Sequence, residues 1–422
     1  MQILGFVLLA AGIIGFGAVS GRAQRSIITP PMVFAAYGFV IGPSLLGLQS
    51  FSIDAPWIHG LAELTLIVVL FTDAARIDLG VLRREHDIPV RLLIVGLPLT
   101  ILLGAVLALG IFGAGLEFWE AAALAVLLAP TDAALGQAVV SSSLVPVRIR
   151  QALNVESGLN DGIVLPVLLL ALSFAGMSEQ GGGAGYWGRV VVLQLTLGPL
   201  IGLGVGYFGG RLVEWCGRTG WMTHSFQDLS ALGLSLMAFG LAELVGGNGF
   251  IAAFTAGITV GNCCRSICTC LYEFAEAEGQ LLTLLMFLIF GLVMVPLAFA
   301  HMTWQLASYA FLSLTVVRMV PVALSLAGLR LRPATTLFIG WFGPRGIASL
   351  LFALLLVEEF DLVGEQTILA AAVITVLFSI FAHGITAFPA AKWYHDHIAA
   401  RASVEAEHRP VAEMPVRLPI SG

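Results

Sequence analysis

The stretch Ala129-Pro130-Thr131-Asp132-Ala133-Ala134-Leu135 sets a proline, a hydroxyl and a carboxylate in the middle of an apolar run. A second stretch, from Asn154 to Val164 (NVESGLNDGIV), carries Glu156, Ser157, Asn160 and Asp161 into the next apolar run. A carboxylate at the centre of a bilayer costs about 3 kcal/mol on insertion scales, so charges at such depth mark ion or proton paths. The rest of the chain reads as machinery that holds these groups and moves past them.

The setting is membrane. Over 422 residues, 58% are hydrophobic and 11% charged, whereas a soluble domain carries about 25% charged residues. There is one lysine, Lys392, and no basic cluster with interleaved aromatics, which excludes a nucleic-acid partner. The opening MQILGFVLLAAGIIGFGAVS has no positive n-region and no cleavage signal, and is read as a retained first span.

Thirteen apolar runs are expected to cross the bilayer as helices. They lie near 2–20, 30–48, 59–76, 90–112, 118–140, 152–176, 187–213, 227–246, 248–262, 279–298, 303–327, 333–357 and 365–390. The ninth is short, but the turn Gly246–Gly249 before it argues for a hairpin. With the N-terminus outside, 17 of the 20 Lys and Arg residues fall in inner loops or a short cytoplasmic tail, 391–422, and Arg189 alone falls outside. That asymmetry satisfies the positive-inside rule. The layout implies two inverted six-helix repeats, about 2–176 and 227–390, separated by a linker helix near 187–213. Together they make one transmembrane domain, 1–390.

Two spans at matching places in these halves are interrupted, at Pro130–Asp132 and at Gly343-Pro344-Arg345-Gly346. Broken helices in corresponding positions point to a transporter's central site. Each proline lacks an N–H and clashes with a carbonyl four residues back, at Val126 and Gly340. Carbonyls released there, with the Thr131 hydroxyl, suit a small cation. On the sixth span Glu156 and Asn160 share one face and Ser157 and Asp161 an adjoining one. Asp161 lies roughly 13–14 Å into that span at about 1.5 Å per residue. Asp132, Glu156 and Asp161 outnumber Arg318 and Arg345 by one. A single Na⁺ or a single H⁺ neutralises the excess, and competition for one carboxylate is the chemistry of an exchanger.

The motifs APTDAAL, ESGLNDGI and GPRGIAS, in this order, resemble the signature regions of the NhaP-type sodium/proton antiporters, the electroneutral branch related to animal NHE exchangers. The resemblance covers most of the chain. It implies that Asp161, in the Asn160-Asp161 pair, binds Na⁺ and H⁺ alternately. Asp132 and Thr131 would form the Na⁺ site at the broken helix, with Ser157 and Asn160 adding neutral oxygens. Glu156 and Arg345 would make a buried ion pair between the halves, and Arg318 would orient the site carboxylates. Asp73, in LFTDAARID, either contributes to the ion path or serves as a charge at the inner mouth. The resemblance also implies a homodimer, an elevator-like motion of spans four to six and eleven to thirteen, and a plasma- or inner-membrane location.

Exchange of Na⁺ or Li⁺ for H⁺, electroneutral at one for one, is therefore the expected activity. K⁺/H⁺ exchange is the nearest rival, and a solute symporter or channel of related build the next. An intramembrane aspartyl protease would need a GxGD pattern where GLND stands, so no enzyme and no cofactor is expected. Glycines at 198, 202, 206 and 210 predict close helix packing within the monomer. Glu63, Glu120 and Glu243 read as interfacial. Cys216, Cys263, Cys264, Cys268 and Cys270 read as reduced inner-side thiols, with no standard zinc spacing. His383 reads as a packed histidine.

Overall fold

The structure is a computed structural model that describes residues 2–23, 26–84, 86–132, 135–180, 184–264, 278–359, 362–398 and 407. Expectations for Arg25, Arg265, Cys268, Cys270, Asp361 and, Glu407 apart, the tail from residue 399 lie outside the described residues.

The described residues form helices and no strands. Eight helices among them are long and apolar enough to cross a membrane, and five shorter apolar helices of 10–17 residues accompany them. A bilayer leaves backbone polar groups no water to bond, so the helix is the natural answer to runs this apolar. Prolines inside the long helices are absorbed locally. Leu92–Gly96 and Phe290–Met294 form wide π turns just before Pro98 and Pro296, so the carbonyl each ring would strike swings aside without ending the helix.

The short ninth run is the helix Gly249–Cys263, entered by the expected hairpin. Gly246 takes φ +79°, the Asn248 side chain accepts from the Ile251 N–H at 3.0 Å, and Glu243 accepts from the Gly249 N–H at 2.7 Å. Cys216, Cys263 and Cys264 are free thiols.

Glycine decides where helices touch. Gly257 and Gly261 let Gly249–Cys263 lie directly on the carbonyls of Phe71 and Ala75 in Pro56–Ala75. Gly38 and Gly291 do the same for Pro30–Ile41 against the Leu288–Leu292 stretch. Gly198, Gly202, Gly206 and Gly210 all face Asn248 to Cys264, so that stripe packs within the chain as expected. The largest cluster of buried side chains fills the space between these crossings and the two interrupted helices.

Candidate functional site: two crossed helix breaks

The first interrupted helix, Phe118–Leu127, starts from a capping box in which Glu117 and Glu120 each bond the other's backbone. Glu120 is buried within the protein: its other oxygen accepts the Gly364 N–H at 2.6 Å and so ties this helix to the start of Glu365–His397. The helix stops at Pro130, but the carbonyl expected to be released, Val126, is taken up by the Ala129 N–H at 3.1 Å in a tightened last turn. Outside donors reach the carbonyls of Ala129, Pro130 and Thr131. Arg345 Nη1 donates to Ala129 and Pro130, and the Ser157 hydroxyl donates to Thr131.

The second interrupted helix runs Pro333–Trp341, loses its regular form over 342–346, and resumes as Ile347–Glu359. The two breaks bond to each other. The Asp132 N–H donates to the Pro344 carbonyl at 2.8 Å, and Asp132 Oδ2 accepts the Ile347 N–H at 2.8 Å. A carboxylate at a helix N-terminus meets unpaired N–H groups and the positive end of the helix dipole. Gly346 is required by this approach, since a Cβ there would run into the Asp132 carboxylate.

The long helix Val147–Gln180 supplies the opposite wall. Glu156, Ser157, Asn160 and Asp161 are all buried, Asp161 at 6% exposure, so none of them faces lipid. Asn160 Nδ2 donates to Thr131 Oγ1 at 2.8 Å, which leaves Asn160 Oδ1 buried with no hydrogen-bond donor among the described residues. Thr131, Ser157 and Asn160 are thus joined through the first break, with Asp132 on its far side and Asp161 next along the helix from Asn160.

One expectation is corrected. Glu156 pairs with Arg318, not with Arg345: Nη1 and Nη2 reach its two oxygens at 2.5 and 2.8 Å. The reason lies in the breaks. Arg345 sits inside one break and faces bare carbonyls of the other, and a guanidinium with several donors satisfies them. Arg318, on Val316–Ser325, is left to Glu156 in the two-pronged geometry that suits a carboxylate. The Arg318 guanidinium lies against Gly343, where a Cβ would collide with it.

Asp73 is half-buried at the end of Pro56–Ala75, and its carbonyl lies 3.6 Å from where a Cβ on Gly158 would sit. That puts it beside the site helix. Two groups were not singled out from sequence. Ser349 is fully buried and its Oγ finds no partner among the described residues. Ser379 accepts the Arg345 N–H at 2.7 Å. The polar spacing Ser379, His383, Thr386 in an otherwise apolar span was the signal available for the second. Among the described residues no three His, Cys, Asp or Glu side chains converge as a metal cluster.

Two helix breaks that cross in a polar, buried centre define an ion-translocating membrane protein. A family model described as sodium/hydrogen exchanger, transmembrane, matches residues 7–393, and the chain belongs to that family of cation/proton antiporters. Its relatives include the K⁺/H⁺ antiporter NhaP of Alkalimonas amylolytica, 24% identical over 93% of this chain and 67% of that protein. The Na⁺/H⁺ antiporter NhaG of Bacillus atrophaeus is 26% identical over 92% of this chain and 74% of its own length. In fold the chain is similar to the sodium proton antiporter MjNhaP1 of Methanocaldococcus jannaschii, with a TM-score of 0.74 at 17% identity over 91% of this chain and 99% of that one.

Proposed function

We propose that the protein exchanges Na⁺ or Li⁺ for H⁺, one for one, with Asp161 holding the cation and the proton in turn. The observation that carries this reading is the undonated Asn160 Oδ1, buried one residue from the buried carboxylate of Asp161. An oxygen without a donor in such a place needs a cation or a proton donor near it. Asp132, Thr131 and Ser157 complete the oxygen set when the bonds among them reopen. A single exchanging carboxylate moves no net charge.

K⁺/H⁺ exchange is the second reading, favoured by the relative from Alkalimonas amylolytica, which is named for that ion. Selectivity between the two ions depends on the number and field strength of the oxygens and on cavity size.

The layout we infer is thirteen spans in two inverted repeats, with the N-terminus outside, the C-terminus in the cytoplasm, and a homodimer in the cell membrane. Packing supports the repeat. Pro30–Ile41 on Gln280–Ala300 and Pro56–Ala75 on Gly249–Cys263 are the pair of contacts such a symmetry interchanges, and both are glycine-mediated.

Proteoliposomes with a trapped pH dye, challenged in turn with Na⁺, Li⁺ and K⁺, test the reading. Na⁺ and Li⁺ should alkalinise or acidify the lumen according to their gradient, and Asp161→Asn should be silent. Exchange by Asp161→Asn at the parent rate would move the chemistry elsewhere.

A further inference from the structure

The last helix, Glu365–His397, carries a polar stripe that the exchange site does not use. Ser379, His383 and Thr386 stand four and then three residues apart, on one face of the helix, and all three meet the second break. The Arg345 N–H donates to Ser379 Oγ at 2.7 Å. Ser379 Oγ lies 3.1 Å from His383 Nδ1, and His383 Nε2 lies 2.8 Å from the Trp341 carbonyl. Trp341 Nε1–H donates to Thr386 Oγ1 at 2.9 Å, and the indole and imidazole rings lie 4.9 Å apart. Ser379 and His383 are fully buried.

The direction of the bond at Nε2 can be worked out. A carbonyl oxygen only accepts, so His383 Nε2 must carry a proton to stand 2.8 Å from Trp341. Ser379 Oγ already accepts from Arg345, so its own proton is free to go to Nδ1. Nδ1 stands 3.1 Å from the Ser379 hydroxyl, which can donate, and 3.0 Å from the Ser379 backbone carbonyl, which can only accept, so the contacts fix only the proton on Nε2. The other neutral tautomer would set Nε2 against a carbonyl, acceptor to acceptor. A charged ring would keep the Trp341 bond and let Nδ1 donate to the Ser379 carbonyl. It would also add a third positive charge to a break that already holds Arg345 and borders Arg318.

We propose that Ser379 and His383 are positioning residues. Together they brace the second break from Trp341 to Arg345 and hold it in the shape in which Arg345 and Ile347 reach the first break. Trp341 is the last residue of one half-helix, and Ile347, two residues beyond Arg345, is the first of the next. The brace therefore spans the whole interruption. Loss of the brace lets Arg345 shift from the Ala129 and Pro130 carbonyls and lets Ile347 shift from Asp132, which loosens the cation site without touching an ion ligand. The transport consequence rests on the exchange reading above. The hydrogen-bond arrangement does not.

The test has two arms. In the unmodified protein labelled with ¹⁵N-histidine, the His383 ring, assigned by its loss in His383→Gln, should show a protonated Nε2 at neutral pH. In proteoliposomes, Ser379→Ala should raise the KM for Na⁺ about tenfold, the scale set by leaving a buried N–H without its acceptor, with the maximal rate nearly unchanged. Ser379→Thr, which keeps the hydroxyl, should restore the parent KM. A ring with Nε2 unprotonated, or a Ser379→Ala protein with the parent KM, overturns the brace. The expected tautomer in a protein that moves no monovalent cation would leave the brace standing and bring down the exchange reading.

Discussion

The two helix breaks look alike in sequence, a proline beside a charge, yet they supply opposite chemistry. The first, at 128–132, presents acceptors: the carbonyls of Ala129, Pro130 and Thr131 and the carboxylate of Asp132. The second, at 342–346, presents mostly donors, the Arg345 guanidinium and the Ile347 N–H that opens the following half-helix, with the Pro344 carbonyl the exception, which accepts the Asp132 N–H. Each break on its own would leave polar groups bare in a low-dielectric interior, at about 1–3 kcal/mol for each one unsatisfied. Crossed, they satisfy one another. The proline that breaks a helix thus creates a demand that the other break meets in large part, with Ser157 and Ser379 supplying the rest, and this binds the two interrupted helices where they cross.

Breaking that complementarity should hurt in a definite order. Arg318→Ala strands Glu156 as a buried, unpaired charge and should cost the most, about 3–5 kcal/mol of stability, read as thermal unfolding of the purified protein. Pairing Glu156→Gln with Arg318→Gln should then cost less than the two changes summed. The same glutamate change combined with Arg345→Gln should come closer to additive. Additivity in the first pair would return Glu156 to Arg345.

Next in size is Arg345→Lys. It keeps the charge, and an ammonium has donors enough for both carbonyls, but lysine ends short of where Nη1 stands, so the Ala129 and Pro130 bonds are weakened, at about 1–3 kcal/mol. Gly346→Ala drives a methyl into the Asp132 carboxylate and should cost about 1–3 kcal/mol by overpacking, with transport falling more than stability because the cap on Ile347 is displaced. The smallest effect belongs to Glu120→Gln, far from the crossing. It keeps one acceptor for Gly364 or Glu117 and should cost about 1 kcal/mol, with the KM for Na⁺ at the parent value.

Much of this was legible in the chain. Pro130 and Pro344 announce where helices stop, because a missing N–H and a ring clash are local facts. Burial of Glu156, Ser157, Asn160 and Asp161 follows from their spacing on one apolar span. Partner choice was not legible. Nothing in the order of residues says that Arg345 turns to carbonyls and Arg318 to Glu156, since that depends on which acceptors a tightened last turn leaves over. The Val126 carbonyl, reclaimed by Ala129, is the same lesson in miniature: a proline removes one bond, and the chain's next best geometry decides which group goes without. The contacts of Glu120 were legible only in part. Its capping box with Glu117 is a sequence pattern, but the Gly364 N–H that buries it comes from 244 residues away.

The exchange proposed here requires that one carboxylate, Asp161, be held by a cation or by a proton but never by both. The most direct measurement counts protons released when Na⁺ is added to the purified protein in weakly buffered solution, alongside Asp161→Asn. The account predicts close to one proton released per Na⁺ bound by the parent, and none from the variant. Na⁺ binding that releases no proton, or equal release from Asp161→Asn, would contradict it.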